Sequence, residues 1–73
     1  MSTLDEHIAG RMVLARRLSG LTQKELAKAV GVTNRQVCKR EKAQDRISAA
    51  DLYRTAKALC VPVTYFFEGY EDE

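Results

Sequence analysis

Arg35, Lys39 and Lys42 stand at i, i+4 and i+7, a spacing that lines three cations along one face of a helix. Just ahead of them, Thr33, Asn34, Arg35 and Gln36 crowd hydrogen-bond donors and acceptors into a single turn. Such groups do the chemistry of recognition rather than of bond making. Arginine can fork onto guanine O6 and N7, asparagine and glutamine can pair with adenine N6 and N7, and lysine can neutralise a phosphate. The competing reading is that Thr33 and Gln36 cap a helix and that their neighbours are solvated polar residues. Catalytic constellations are missing. His7 is the only histidine and suits a surface position, Cys38 and Cys60 lack CxxC spacing, and no paired carboxylates, metal cluster or phosphate-cradling glycine loop occurs. Neither enzymatic activity nor a cofactor, metal or disulfide is expected.

A cationic outer face needs an apolar inner one. With Val37 taken as inward and roughly 100° per residue, Arg35 and Lys39 point almost directly away and Lys42 lies beside them. Glu41 falls near the inward direction, where a carboxylate demands a partner. Upstream, Leu26, Ala27 and Val30 share one stripe of a second helix that starts at Thr22. Gly31 breaks that helix, and only Gly31 and Val32 separate it from the next, so the two must cross steeply. Ala27 lets the helices approach, Gly31 can take a positive φ, and Val37 can wedge between them.

The order Gln23, Ala27, Gly31, Val37 within GLTQKELAKAVGV resembles the helix-turn-helix of the phage repressor and Cro (XRE) family of bacterial DNA-binding proteins, and the resemblance runs from Ile8 to about Glu68. It implies an all-α, compact five-helix repressor-like domain whose helices 2 and 3 form the helix-turn-helix. The helix at about 33–42 would lie in the major groove, with Thr33, Asn34, Arg35, Gln36 and Lys39 at base edges. In the family the residue matching Gln23 supports the recognition helix and contacts the DNA backbone. Lys24, Lys28, Lys42, Gln44 and Arg46 suit further backbone contacts by placement and charge. The family also pairs an arginine and a glutamate at the positions of Arg16 and Glu41, implying a buried ion pair. Three positions depart from the family pattern. Arg40 replaces a common aromatic or aliphatic residue, and Ala43 and Cys60 stand where glycine is common.

The rest of the chain supports this core. Thr3 with Glu6 has the form of a capping box opening a first helix, Ile8, Met12 and Ala15 make its inner stripe, and Gly20 can end it left-handed. Thr22 with Glu25, Thr33 with Gln36 and Ser48 with Asp51 repeat the starting signal. Ala49, Leu52, Ala56 and Leu59 share a face of a fourth helix that Val61-Pro62 stops, and Pro62 opens a short fifth helix to about Glu68. Four of the five aromatics, Tyr65, Phe66, Phe67 and Tyr70, crowd this end. A small core cannot easily cover them all, so with Val63 they are expected to form a dimer interface.

With 73 residues the chain suits a single domain, 1–73, with a core of about 5–68 and a frayed acidic tail at 69–73. A chain this short buries only about 60% of its unfolded surface, which also favours pairing. The formal charge of +2 hides an asymmetry. Residues 11–46 hold ten Lys and Arg against three acids, while both flanks are net acidic, the pattern of a protein with one face toward a polyanion. No apolar run of membrane-spanning length and no leader occurs. The expectation is a cytoplasmic, bacterial or phage-encoded homodimeric regulator, a repressor in type, on double-stranded DNA at an inverted repeat, without membrane or small-molecule partner. Alternatives are an antitoxin or restriction-modification controller using the same module, or an antirepressor that binds another protein instead of DNA.

Overall fold

Four α-helices and one 3-10 helix follow one another in the computed structural model, which describes Ser2–Glu71. They are α1 (Thr3–Leu18), α2 (Gln23–Val30), α3 (Asn34–Glu41), α4 (Ala49–Leu59) and the 3-10 helix Val63–Phe67. Glu71 is described, but Asp72 and Glu73 of the expected frayed tail lie outside the described residues. No helix among the described residues is long and apolar enough to cross a membrane.

Side-chain caps start every α-helix. Thr22 with Glu25 and Thr33 with Gln36 form reciprocal capping boxes, and the Ser48 hydroxyl accepts the Asp51 N–H. The first helix starts one residue earlier than Thr3 and Glu6 suggest. Ser2 is its cap, paired reciprocally with Asp5, because both serine and threonine there have an acid three residues on and the earlier pair closes the box.

Every α-helix also ends alike, with a left-handed residue just past its last turn: Gly20 (φ 73°), Gly31 (φ 87°), Ala43 (φ 56°) and Cys60 (φ 58°). At Ala43 the N–H of Gln44 reaches back to the Lys39 carbonyl (2.8 Å), and after Cys60 the N–H of Val61 reaches the Ala56 carbonyl (3.0 Å), which satisfies carbonyls that the helix leaves unpaired. The two family glycines missing from the sequence are therefore missing where left-handed backbone is required. A Cβ in this region costs about 1–2 kcal/mol, against roughly 0.4–1 kcal/mol that glycine loses through the freer unfolded chain. Ala43→Gly and Cys60→Gly should thus each stabilise by up to about 1 kcal/mol, raising the melting temperature by a few degrees, and a thermal melt that drops for both would refute the strain.

The core gathers Met12 and Ala15 from α1, Leu26, Ala27 and Val30 from α2, Val37 from α3, Leu52, Ala56 and Leu59 from α4, and Phe66. The fifth helix expected through Glu68 is a single 3-10 stretch of five residues. Pro62 supplies no N–H and Gly69 turns left-handed (φ 82°), leaving too few residues for α-helical pairing. Side chains of α1 hold the segment in place. Arg11 Nε donates to the Tyr65 carbonyl (2.9 Å) and His7 Nε2 lies 2.8 Å from the Glu68 carbonyl.

Candidate nucleic-acid interface

Val37 is buried between the helices, whereas Thr33, Asn34, Arg35, Gln36 and Lys39 are exposed. The turn that aims them is closed by the N–H groups of Gly31 and Val32, both on the Ala27 carbonyl (2.9 and 3.0 Å). Two of the five carry a second duty. The N–H of Thr33 donates to Gln36 Oε1 (2.9 Å) and the N–H of Gln36 donates to the Thr33 hydroxyl (3.1 Å). With its oxygen held by the cap, Gln36 presents its amide N–H groups and not the donor-acceptor fork expected for adenine. Arg35, Lys39, Lys42, Lys24 and Lys28 are exposed and in no ion pair among the described residues. Gln44 is exposed too, and Arg46, 72% exposed, has its Nε 3.4 Å from Asp5.

The inner side of α3 is anchored by charge. Glu41, with its side chain only 5% exposed, receives Arg16 in a two-pronged contact, Nε to Oε2 at 2.6 Å and Nη2 to Oε1 at 3.1 Å. Gln23 Nε2 donates to the same Oε1 (2.8 Å), and Arg16 Nη1 donates to the Leu21 carbonyl (2.9 Å). One carboxylate thus ties α3 to α1 and α2, and it occupies the amide of Gln23, whose expected role included the DNA backbone.

A second anchor lies on the other side. Arg40 is 8% exposed, and its Nη2 donates to Asp51 Oδ2 (2.9 Å), while Arg54 Nη1 donates to Asp51 Oδ1 (2.8 Å). The pair stands where the family pattern led to an aromatic or aliphatic residue, and it leaves Arg40 Nε buried without a partner among the described residues. Sequence reasoning noted Arg40 only as a departure. The available signal was its position three residues after Val37, which turns it toward the core. The Arg40 hydrogen bond, with smaller help from Arg54, holds the Asp51 carboxyl below its ordinary range. Because the folded value lies below the unfolded one, the stability Asp51 contributes is complete above about pH 4 and is lost as pH falls through the lowered value. Asp51→Asn should therefore melt lower than wild type near neutrality and converge on it in acid, measured by thermal melts across the acid range. The capped carboxylates Asp5 and Glu25 are lowered too, chiefly by Ser2 and Thr22 hydrogen bonds.

The expected aromatic dimer surface divides. Phe66 is wholly buried in the core and cannot be an interface residue. The physical reason is the three-residue turn of the 3-10 helix, which sends one aromatic of the cluster inward. Tyr65 is half-buried under the Arg11 guanidinium, 3.8 Å from its ring centre, and Tyr70 is half-buried, its hydroxyl 3.1 Å from that of Thr3 and its ring tilted on His7. These two are held by α1 of their own chain. Val63 (36%) and Phe67 (39%) stay exposed. Cys38 is half-buried, Cys60 exposed, and both are free thiols.

A family model described as helix-turn-helix matches residues 14–66. Among curated relatives, a transcriptional regulator encoded in the ATPase CF(0) region of Rhodospirillum rubrum is 43% identical over 68 residues, which cover 93% of this chain and 63% of that protein. An HTH-type transcriptional regulator of Sinorhizobium medicae is 37% identical over 65 residues, covering 89% and 47%. The chain thus spans between about half and two thirds of the length of these relatives. Among solved structures, the restriction-modification controller protein C.AhdI from Aeromonas hydrophila superposes with a TM-score of 0.83 at 25% identity, covering 86% of this chain and 96% of that one. The hypothetical transcription factor NHTF from Neisseria gives 0.82 at 28% identity, covering 86% and 72%.

Proposed function

The chain belongs to the helix-turn-helix family of the phage repressor and Cro (XRE) type, and from that premise we propose that it is a sequence-specific DNA-binding transcriptional regulator, a cytoplasmic repressor that binds an inverted-repeat operator as a homodimer. One observation carries this: Arg35 and Lys39 leave α3 opposite buried Val37, in no ion pair among the described residues, on a helix held firm by Glu41. Thr33, Asn34, Arg35, Gln36 and Lys39 meet base edges, and Gln23, Lys24, Lys28, Lys42, Gln44 and Arg46 meet the sugar-phosphate backbone. Gln36 serves as a donor toward base acceptors while its oxygen keeps the cap. Val63 and Phe67 contribute to the contact between copies, and the described residues act as one DNA-binding unit.

Arg35→Ala should lose about 1–3 kcal/mol on the operator and relax preference at one base pair per half-site, with much less change on scrambled duplex. Lys42→Ala should weaken all sequences alike and flatten the salt dependence by about one unit per lost phosphate contact. Binding isotherms on operator selected from random duplex, and on scrambled duplex, at several salt concentrations test this. If Arg35→Ala leaves the ratio of the two affinities unchanged, α3 does not read sequence, and a protein-binding antirepressor becomes the better account. A restriction-modification controller is a second reading, favoured by the 96% coverage of C.AhdI. An operator upstream of a nuclease and methyltransferase pair would establish it.

A further inference from the structure

Beyond the stretch that the C-terminal segment covers, the outer face of α1 is exposed among the described residues. Gly10, Leu14 and Leu18 follow at four-residue spacing, and Leu14 and Leu18 are 44% and 76% exposed. Gly10 is harder to account for. It sits inside a 16-residue helix, where glycine weakens the helix, and a Cβ there would meet nothing within 4 Å among the described residues, so none of them requires the missing side chain. On the same face stand Glu6 and Arg17, exposed and outside every ion pair among the described residues.

The C-terminal segment extends this face. The bonds from Thr3 to Tyr70, His7 to Glu68 and Arg11 to Tyr65 show it running antiparallel along α1. Continued one turn, that register brings exposed Val63 beside Leu14.

We propose that the outer face of α1, continued by Val63 and Phe67, is a self-complementary surface on which a second copy of this chain docks with its own α1 antiparallel. The proposal rests on the homodimer reading above and names its contact. A two-fold axis near Met12 sets Leu14 into the space over the partner's Gly10, and sets Glu6 against the partner's Arg17, twice over. The charges of the face thus match when it meets itself in reverse, as an isologous contact requires.

Sedimentation equilibrium of the full chain tests this with variants whose own fold is spared. Wild type should be a dimer. Gly10→Leu fills open space and favours helix, so circular dichroism and melting should hold or improve while dimerisation weakens at least about tenfold, since the knob then meets an occupied hole. Glu6→Arg and Arg17→Glu should each weaken the dimer, and the two together should restore it to within about threefold of wild type. If Gly10→Leu and Leu14→Glu dimerise as wild type does, this surface is wrong and the homodimer reading survives on another. A wild type that stays monomeric, with and without DNA, overturns both.

Discussion

Glu41→Ala should lose about 3–5 kcal/mol of folding stability, because removing one partner of a buried ion pair leaves the other charge uncompensated. Here the loss is compounded. The Arg16 guanidinium, 12% exposed, would keep only the Leu21 carbonyl, and the Gln23 amide would lose its acceptor. Natural domains are stable by roughly 0.05–0.15 kcal/mol per residue, so in a chain of 73 residues this one change removes a large share of the total. Urea and thermal unfolding measure it, and a variant that melts with wild type would refute the buried pair. Replacing both partners with apolar residues of similar volume should recover much of the loss. That recovered protein would separate folding from positioning, since it lacks the carboxylate that ties α3 to both neighbours. If the anchor serves DNA binding, its affinity for operator should fall even where its melting temperature does not.

Phe66→Ala should cost about as much, roughly 3–5 kcal/mol, the usual price of emptying a phenyl-sized site in a core. Phe66 is the largest side chain with no exposure, and its ring meets Tyr65 edge-on at 5.8 Å between centres. Phe67→Ala, one residue on, should change the stability of the isolated chain little and act on association instead. The two variants compared by denaturation at fixed, low protein concentration distinguish core from surface. Equal losses would mean that the segment is not docked as described.

The helix-turn-helix itself was legible because its determinants are local. Thr22 with Glu25 and Thr33 with Gln36 are caps written within four residues, and Gly31 is a glycine where the backbone turns left-handed between the stripes of α2 and α3. The ion pair of Arg16 and Glu41 was legible only through the family pattern together with Glu41 facing inward. Arg40 with Asp51 was not, since periodicity places a charge toward the core without saying which helix answers it. Nor was the fate of the aromatic end. Four aromatics so close together can be sorted into buried and exposed only by knowing the local period, and the change from about 3.6 to about 3 residues per turn follows from Pro62 and left-handed Gly69, which bound the segment. The start of α1 was ambiguous for a simpler reason, as Ser2 and Thr3 are each followed three residues later by an acid.

The grip of α1 on residues 65–70 also bears on the order in which the molecule is made. The crossing of α2 and α3 joins neighbours in sequence, whereas Thr3 with Tyr70, His7 with Glu68 and Arg11 with Tyr65 join residues 67, 61 and 54 apart. Bringing such distant segments together costs loop entropy before any contact repays it, so the meeting of the chain's two ends is expected among the last events of folding. Leu14 belongs to one end and Val63 and Phe67 to the other. The surface offered to a second copy therefore exists only once the chain has closed, and a partly folded molecule has no complete face with which to pair.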